Sequence, residues 1–391
     1  MPWMETRVMD QRAKFVLECL RGEYSMAKQC RIFGISRKTG YKWLMRYDTE
    51  GINSLGDRSR RPKHHGRSVP SDVEMEVVSL RCQHPTWGPK KLRVLLERYD
   101  PERRWPACST IGEILNRHGL TVPRKRRRRT PPHTEPFAGC DVPNAVWCAD
   151  FKGWFRTGDG NRCEPLTITD ARSRYLLRCQ ASSSTHYENT RALFEATFRQ
   201  YGLPYVMHTD NGTPFASCGI AGLSRLSVWW LKLGIVSERI EPGHPEQNGR
   251  HERMHRTLKH ETATPPARTL RGQQRSFDHF RREFNQERPH EALEMRTPSS
   301  VYVYSSREYP EHLADMEYGD DVEVRRVKSN GVFSWKNRGV FIGEAFGREL
   351  VGLTQFNERY WQVFYGPKKL GVLDLREHRM LTPLQAAKVT P

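Results

Sequence analysis

The chain lacks any apolar run approaching the ~18 residues of a membrane-spanning helix, and its first residues hold no apolar leader core. A protein neither inserted in nor exported across a membrane is expected. It also lacks any Cys-x-x-Cys pair. Its nine cysteines are an odd number, scattered from Cys19 to Cys218. That excludes a disulfide framework and a four-cysteine zinc site as leading ideas, and leaves small buried thiols. Acidic residues are the third shortage: 45 Asp and Glu against 64 Lys and Arg leave a net charge of +19.

The charge is uneven. Residues 1–130 hold 29 basic and 14 acidic residues (+15), and residues 131–391 hold 35 and 31 (+4). A basic third on a near-neutral body suits a polyanion-binding arm joined to another activity. Ten Trp, fourteen Tyr and sixteen Phe argue against disorder, and at roughly 150 residues per domain 391 residues suggest two to four domains.

Within the basic third, Ala13, Val16, Leu17 and Leu20 form a helical stripe closed by Gly22. Ser25 should cap a short second helix and, after a turn at Gly34, Ser36 a third from Arg37 to Tyr47. This is a helix–turn–helix pattern over 1–55, with Arg37, Lys38, Lys42 and Arg46 placed to meet phosphates and base edges. The Pro- and Gly-rich linker 56–69 adds Arg58, Arg60, Arg61 and Lys63 as backbone contacts. A weaker helix–turn–helix candidate follows over 70–122, with its third helix capped by Ser109 or Thr110 and only Arg117 as a clear cation. The linker 123–143 then opens on Arg124, Lys125, Arg126, Arg127, Arg128 and Arg129, six cations that no core can hold and that duplex DNA attracts.

From Asn144 the pattern changes to strand, strand, strand, helix, strand, helix, strand, helix, an α/β layer. Asp150 lies inside an apolar strand and Asp210 at the end of another, where open α/β sheets place their sites. A buried carboxylate is costly unless paired or bound to a cation. Two of them joined by an acidic helix residue make an oxygen-ligand pocket for Mg²⁺.

Three pieces then carry a resemblance: Trp147-x-x-Asp150, the turn Thr209-Asp210-Asn211-Gly212, and Pro245-x-x-Asn248-Gly249-x-x-Glu252-Arg253-x-His255-Arg256-x-Leu258-Lys259. In order and surroundings the chain resembles bacterial insertion-sequence transposases of the DDE type, which share their catalytic core with retroviral integrases. The resemblance implies an RNase H-like core over 144–305. It also implies a catalytic and metal-binding trio of Asp150, Asp210 and Glu252. Glu246 is the rival for the third place, 36 positions after Asp210, but it falls in a loop position of the motif where the family carries a polar residue. Glu252, with 41 residues intervening, occupies the motif's Glu position, the extra length being an insertion near Cys218 to Trp230. On a helix, Glu252, Arg256 and Lys259 share one face, so a metal ligand stands beside two DNA-contacting cations. A further helix is expected over Phe277 to Glu287.

Five or six short β runs between 321 and 376, within a domain 306–391, suggest a small closed barrel. By resemblance to integrase C-terminal domains it should be SH3-like. The fold class expected is thus multidomain: all-α helix–turn–helix units, an α/β RNase H-like core and a small all-β barrel.

The resemblance implies a DNA strand transferase: binding of element ends, hydrolysis of one strand, and attack of the 3′-hydroxyl on target DNA. Two Mg²⁺ (or Mn²⁺) ions roughly 3.5–4 Å apart would serve in-line displacement, with Asp150 bridging them. Partners are double-stranded DNA, as element ends and as target, and a second copy of the chain in a homodimer or higher homo-oligomer. Two other classes stay open: a DNA-binding regulator with an inactive core, and an RNase H-like nuclease. The three carboxylates speak against the first, and the duplex-reading helical units against the second.

Overall fold

The computed structural model describes residues 8–59, 69–121, 139–241, 249–355 and 357–389. Backbone contacts divide the chain into two units, Met1–Pro70 and Ser71–Pro391.

In the first unit, α1 (Val8–Arg21), α2 (Met26–Ile32) and α3 (Arg37–Glu50) enclose Phe15, Val16, Cys30, Trp43 and Leu55. The stripe expected on α1 is rotated. Phe15 and Val16 are buried, whereas Leu17 and Leu20 are each 52% exposed, because the large Phe15 ring takes the inner position. Ser25 stands at the start of α2 without a side-chain cap bond. Ser36 does cap α3, its hydroxyl accepting from the Thr39 N–H at 3.2 Å. That helix runs three residues past the expected Tyr47. Gly40 lets α2 and α3 cross closely: a Cβ there would stand 2.6 Å from Cys30 Sγ and 3.0 Å from Phe15.

The second unit opens with α4 (Ser71–Gln83), α5 (Pro89–Tyr99) and α6 (Cys108–Arg117). The residue before α6 is Ala107, so Ser109 and Thr110 lie inside the helix rather than capping it. This trio uses its cations at home. Arg81 donates to the Leu120 carbonyl at 3.0 Å, Arg103 pairs with Asp72 and Glu76, and Arg98 donates to the Glu287 and Met295 carbonyls at 3.2 and 2.9 Å.

The α/β layer contains β1 (Val146–Phe151), β2 (Phe155–Arg156), β3 (Arg162–Asp170), β4 (Leu176–Ser182), α7 (Tyr187–Tyr201), β5 (Val206–Thr209), α8 (Arg225–Lys232) and β6 (Val236–Arg239). Two helices follow, α9 (Gly249–Thr262) and α10 (Leu270–Gln286). The sheet runs β2-β3-β1-β5-β6, with β4 also paired to β3. β3 is antiparallel to β1 and β4, while β1, β5 and β6 are mutually parallel. One face packs Trp147, Phe194, Phe198, Trp229 and Trp230 with α7 and α8. The other packs Cys163, Cys179, Met254, Leu258, Phe277 and Phe280 with α9 and α10.

α10 begins seven residues before the expected Phe277, capped by Thr269, whose hydroxyl accepts from the Gly272 N–H at 3.1 Å. Its first turns carry no apolar stripe. They dock instead through glutamine amides: Gln273 donates to the Thr262 carbonyl at 2.8 Å and Gln274 to the Cys179 carbonyl at 3.0 Å.

The C-terminal part is all-β. β7 (Glu323–Arg326), β10 (Leu350–Gln355), β11 (Tyr360–Tyr365), β12 (Lys368–Asp374) and β13 (Arg379–Met380) form a five-stranded antiparallel sheet. β8 (Val332–Trp335) and β9 (Arg338–Phe341) pair as a hairpin, and a short α11 (Pro383–Ala386) follows β13. Sheet and hairpin share a core of Phe333, Trp335, Val351, Trp361 and Leu373. Val228 and Leu231 of α8 join this core, whereas Leu226, Trp229 and Trp230 of the same helix belong to the α/β core. Both sides of α8 are therefore buried.

Candidate active site

Asp150 is the fifth residue of β1 and is largely buried. The parallel register sets Ala149 beside Thr209, so Asp150 and Asp210 are the next residues along two neighbouring strands, both at the C-terminal edge. Adjacent strands lie about 4.8 Å apart, which brings the two acidic positions side by side. The Asp210 carboxylate accepts from the Gly212 N–H at 3.1 Å, and Asn211 donates to the Ile240 carbonyl at 2.9 Å. The turn residues thus tie the end of β5 to the end of β6.

Glu252 is exposed on the first turn of α9. It lines an open cleft of about 630 Å³ with Asp150, Lys152, His255, Arg256 and Lys259. Helical spacing puts Glu252, Arg256 and Lys259 on one face of α9, and Asp150 and Lys152, from the end of β1, line the same cleft. Among the described residues, no three His, Cys, Asp or Glu side chains are gathered tightly enough to enclose an ion. The donor chemistry nevertheless fits a hard divalent cation, since every candidate ligand is a carboxylate.

Behind the cleft lies a buried polar cluster. Thr167 of β3 stands directly opposite Asp150 in the ladder. Its hydroxyl donates to the Asp150 carbonyl at 3.2 Å. His251 and His255 approach the same oxygen with their Nε2 atoms, at 2.7 and 2.6 Å. A hydroxyl has one proton to give and two lone pairs, so with its proton on Asp150 both rings donate to it. Burial pushes His251 down to about 3 and His255 well below the usual histidine range. At neutral pH both rings are uncharged, with one N–H each. His255 Nδ1 lies 3.7 Å from Asp150 Oδ2, beyond hydrogen-bond reach. Burial also lowers His208, on β5, to about 4.

Of the expected DNA contacts, Arg37, Lys38 and Lys42 are exposed on α3 and Arg46 is half-buried. Lys42 and Arg46 lie over the Trp43 ring at 4.6 and 4.9 Å, so Trp43 orients both. Arg58 pairs with Glu50. Arg256 and Lys259 are exposed in the cleft. Arg60, Arg61, Lys63, the run Arg124 to Arg129 and Glu246 lie outside the described residues. Sequence reasoning missed Lys152 and Thr167. Lys152 follows Asp150 by two residues and could have been found there. Thr167 is an ordinary strand residue, and only the strand register reveals it.

Five family models match the chain: a helix-turn-helix domain over residues 11–63, a homeodomain-like domain over 39–115, an integrase core domain over 141–245, a second integrase core domain over 233–298, and the C-terminal domain of IS481 family transposases over 322–381. Among curated proteins, the insertion element IS407 uncharacterized 31.7 kDa protein of Burkholderia multivorans is 24% identical over 277 residues, 70% of this chain and 89% of that protein. The Gag-Pol polyprotein of baboon endogenous virus is 27% identical over 203 residues, 49% of this chain and 11% of the polyprotein. Among solved structures, the simian T-cell lymphotropic virus intasome in complex with PP2A regulatory subunit B56 gamma is 13% identical, with a TM-score of 0.38, over 77% of this chain and 96% of that one. The HTLV-2 integrase catalytic core domain in complex with magnesium is 16% identical, with a TM-score of 0.33, over 42% and 99%.

The central sheet with helices on both faces, matched end to end by integrase core models, defines a polynucleotidyl transferase core of the integrase type. Beside it stand helix–turn–helix domains and a C-terminal domain of the IS481 transposase type, so the chain carries the domain set of an insertion-sequence transposase.

Proposed function

We propose that this transposase cuts DNA at the ends of its element and joins the freed 3′-hydroxyl to target DNA, with Asp150, Asp210 and Glu252 as its metal ligands. The observation that carries the proposal is the shared cleft, where carboxylates from β1 and α9 stand among Lys152, Arg256 and Lys259. A phosphodiester brings negative charge that carboxylates alone repel, and the three cations offset it at the cleft walls. Two divalent ions, Mg²⁺ in the cell, would supply activation of the attacking oxygen and stabilisation of the leaving one. Asp150, Asp210 and Glu252 would hold these ions.

The protein's own part is positioning. β1 and β5 fix two ligands by backbone pairing, and α9 delivers the third with Arg256 and Lys259 to hold the flanking phosphates. Residues 1–55 and 70–122, with the basic linkers 56–69 and 123–143, hold duplex DNA, and α3 reads the element end. Joining two ends requires at least a dimer, acting at the bacterial nucleoid. The residues 144–305 carry the chemistry and 306–391 complete the architecture. A strand-transfer assay with Mg²⁺ and end-containing DNA tests the reading: joined product is expected, and its absence under conditions of full end binding would overturn it.

A further inference from the structure

Thr167 is the point at which three elements meet. Its side chain is fully buried on β3, opposite Asp150 on β1. Its one oxygen receives two rings from α9, the helix that carries Glu252. The hydrogen-bond inventory is complete: one proton out to the Asp150 carbonyl, two N–H groups in from His251 and His255. His251 and His255 are one turn apart on α9 and flank Glu252, so both screw the same stretch of helix to the same oxygen. A second, longer contact between Thr169 Oγ1 and His251 Nδ1, 3.5 Å, lies on the same strand. With Nε2 committed to Thr167, that nitrogen accepts.

We infer that Thr167, with His251 and His255, is a positioning residue for strand transfer: its hydroxyl fixes the distance between the strand bearing Asp150 and the helix bearing Glu252. This rests on the reading of those carboxylates as metal ligands. α9 has no backbone ladder to the sheet, and its apolar contacts through Met254 and Leu258 can slide, because they are non-directional. Hydrogen bonds of 2.6–2.7 Å to a single buried oxygen cannot slide without breaking. The spacing that a pair of ions demands is therefore set by this oxygen rather than by the hydrophobic packing beside it.

The test compares Thr167→Val, which keeps the shape and removes the hydroxyl, with Thr167→Ser, which keeps the hydroxyl. Three quantities are read on the full chain: Mn²⁺ affinity by electron paramagnetic resonance, strand transfer against Mg²⁺ concentration, and end binding by gel shift. Loss of groups that orient metal ligands costs about 10–100-fold in metal affinity or activity. Thr167→Val is expected to weaken Mn²⁺ binding and to raise the Mg²⁺ requirement by such a factor, with end binding unchanged, and Thr167→Ser to restore most of it. Thr197→Val, a buried threonine of α7, controls for general loss of stability. Should Thr167→Val fail to fold, His255→Gln, which keeps a donor at the Nε2 position, against His255→Leu gives the same comparison. Wild-type Mn²⁺ affinity in Thr167→Val, or equal loss in the valine and serine variants, overturns the positioning role. Undiminished Mn²⁺ affinity in Asp150→Asn overturns the metal-ligand reading itself, which separates the two failures.

Discussion

Asp150 and Asp210 illustrate how a backbone register substitutes for a designed contact. Neither needs the other's side chain to be in place, since the parallel pairing of β1 and β5 carries both to one edge. Their replacement should therefore leave the fold intact. Asp150→Asn, Asp210→Asn or Glu252→Gln is expected to abolish cleavage and joining while end binding in a gel shift stays at the wild-type level; parallel loss of both would refute the separation. The comparison of Glu246→Gln with Glu252→Gln decides between the two acidic residues that follow Asp210. Activity retained by the first and lost by the second is the expected result. His290 makes a different statement at this scale. Burial, with Lys91 and Arg288 nearby, lowers it to about 3, while its ring meets Phe284 edge-on at 4.7 Å. The unfolded chain takes up this proton near pH 6.5, the folded chain only near 3. The stability it contributes is complete above pH 6.5 and is lost as pH falls towards 3. His290→Asn should flatten that acid limb in denaturant melts at pH 4–7, and an unchanged limb would show that other groups govern it.

Among the elements, α3 joins a local signal to the surface proposed to read the element end. Ser36 caps it and Trp43 anchors it, leaving Arg37 and Lys38 exposed at the end where a groove-bound helix meets base edges. Ser36→Ala is expected to cost the first unit about 1 kcal/mol, read from its thermal melt. Arg37→Ala should cost ~1–3 kcal/mol of end affinity and relax preference at one base pair; equal weakening on scrambled DNA would reassign it to phosphate contact. Elements were legible wherever periodicity or a turn signal announced them, as with β1, β3, α7 and the Ser36 cap. They were not legible where polar atoms carry the packing. The first turns of α10 dock by Gln273 and Gln274, and a glutamine looks the same in a sequence whether it faces water or a buried carbonyl. The site divides along the same line. Asp150, Asp210 and Glu252 stand out by type and motif, whereas Thr167 matters only through the register that sets it opposite Asp150.

Across the molecule, charge and cores are laid out differently. The first 130 residues carry +15 of the +19. If they neutralise about 8–10 phosphates, log K for the ends should fall with log salt at a slope of roughly −7 to −9. Neutralising Arg124 to Arg129 should flatten that slope and weaken end and scrambled DNA alike. A salt titration with both DNAs measures this, and a selective loss for end DNA would mean that the run reads sequence. The second helical trio contributes less than its arginines suggest, because Arg81, Arg98 and Arg103 are held by carbonyls and carboxylates of the protein itself.

The two-sided burial of α8 bears on how such an enzyme can be taken apart and recombined. In chain order the all-β part follows the catalytic core and looks detachable. Yet Val228 and Leu231, some ninety residues earlier, are bricks in its wall. A chain stopped at residue 305 would turn those side chains, with Leu223, out to water and is expected to precipitate, as sedimentation of the expressed fragment would show. Grafting the tail of another transposase should succeed only when its α8 travels too. For gene shuffling among these elements, the heritable cassette is then discontinuous: one helix from the middle of the gene, and the strands from its end.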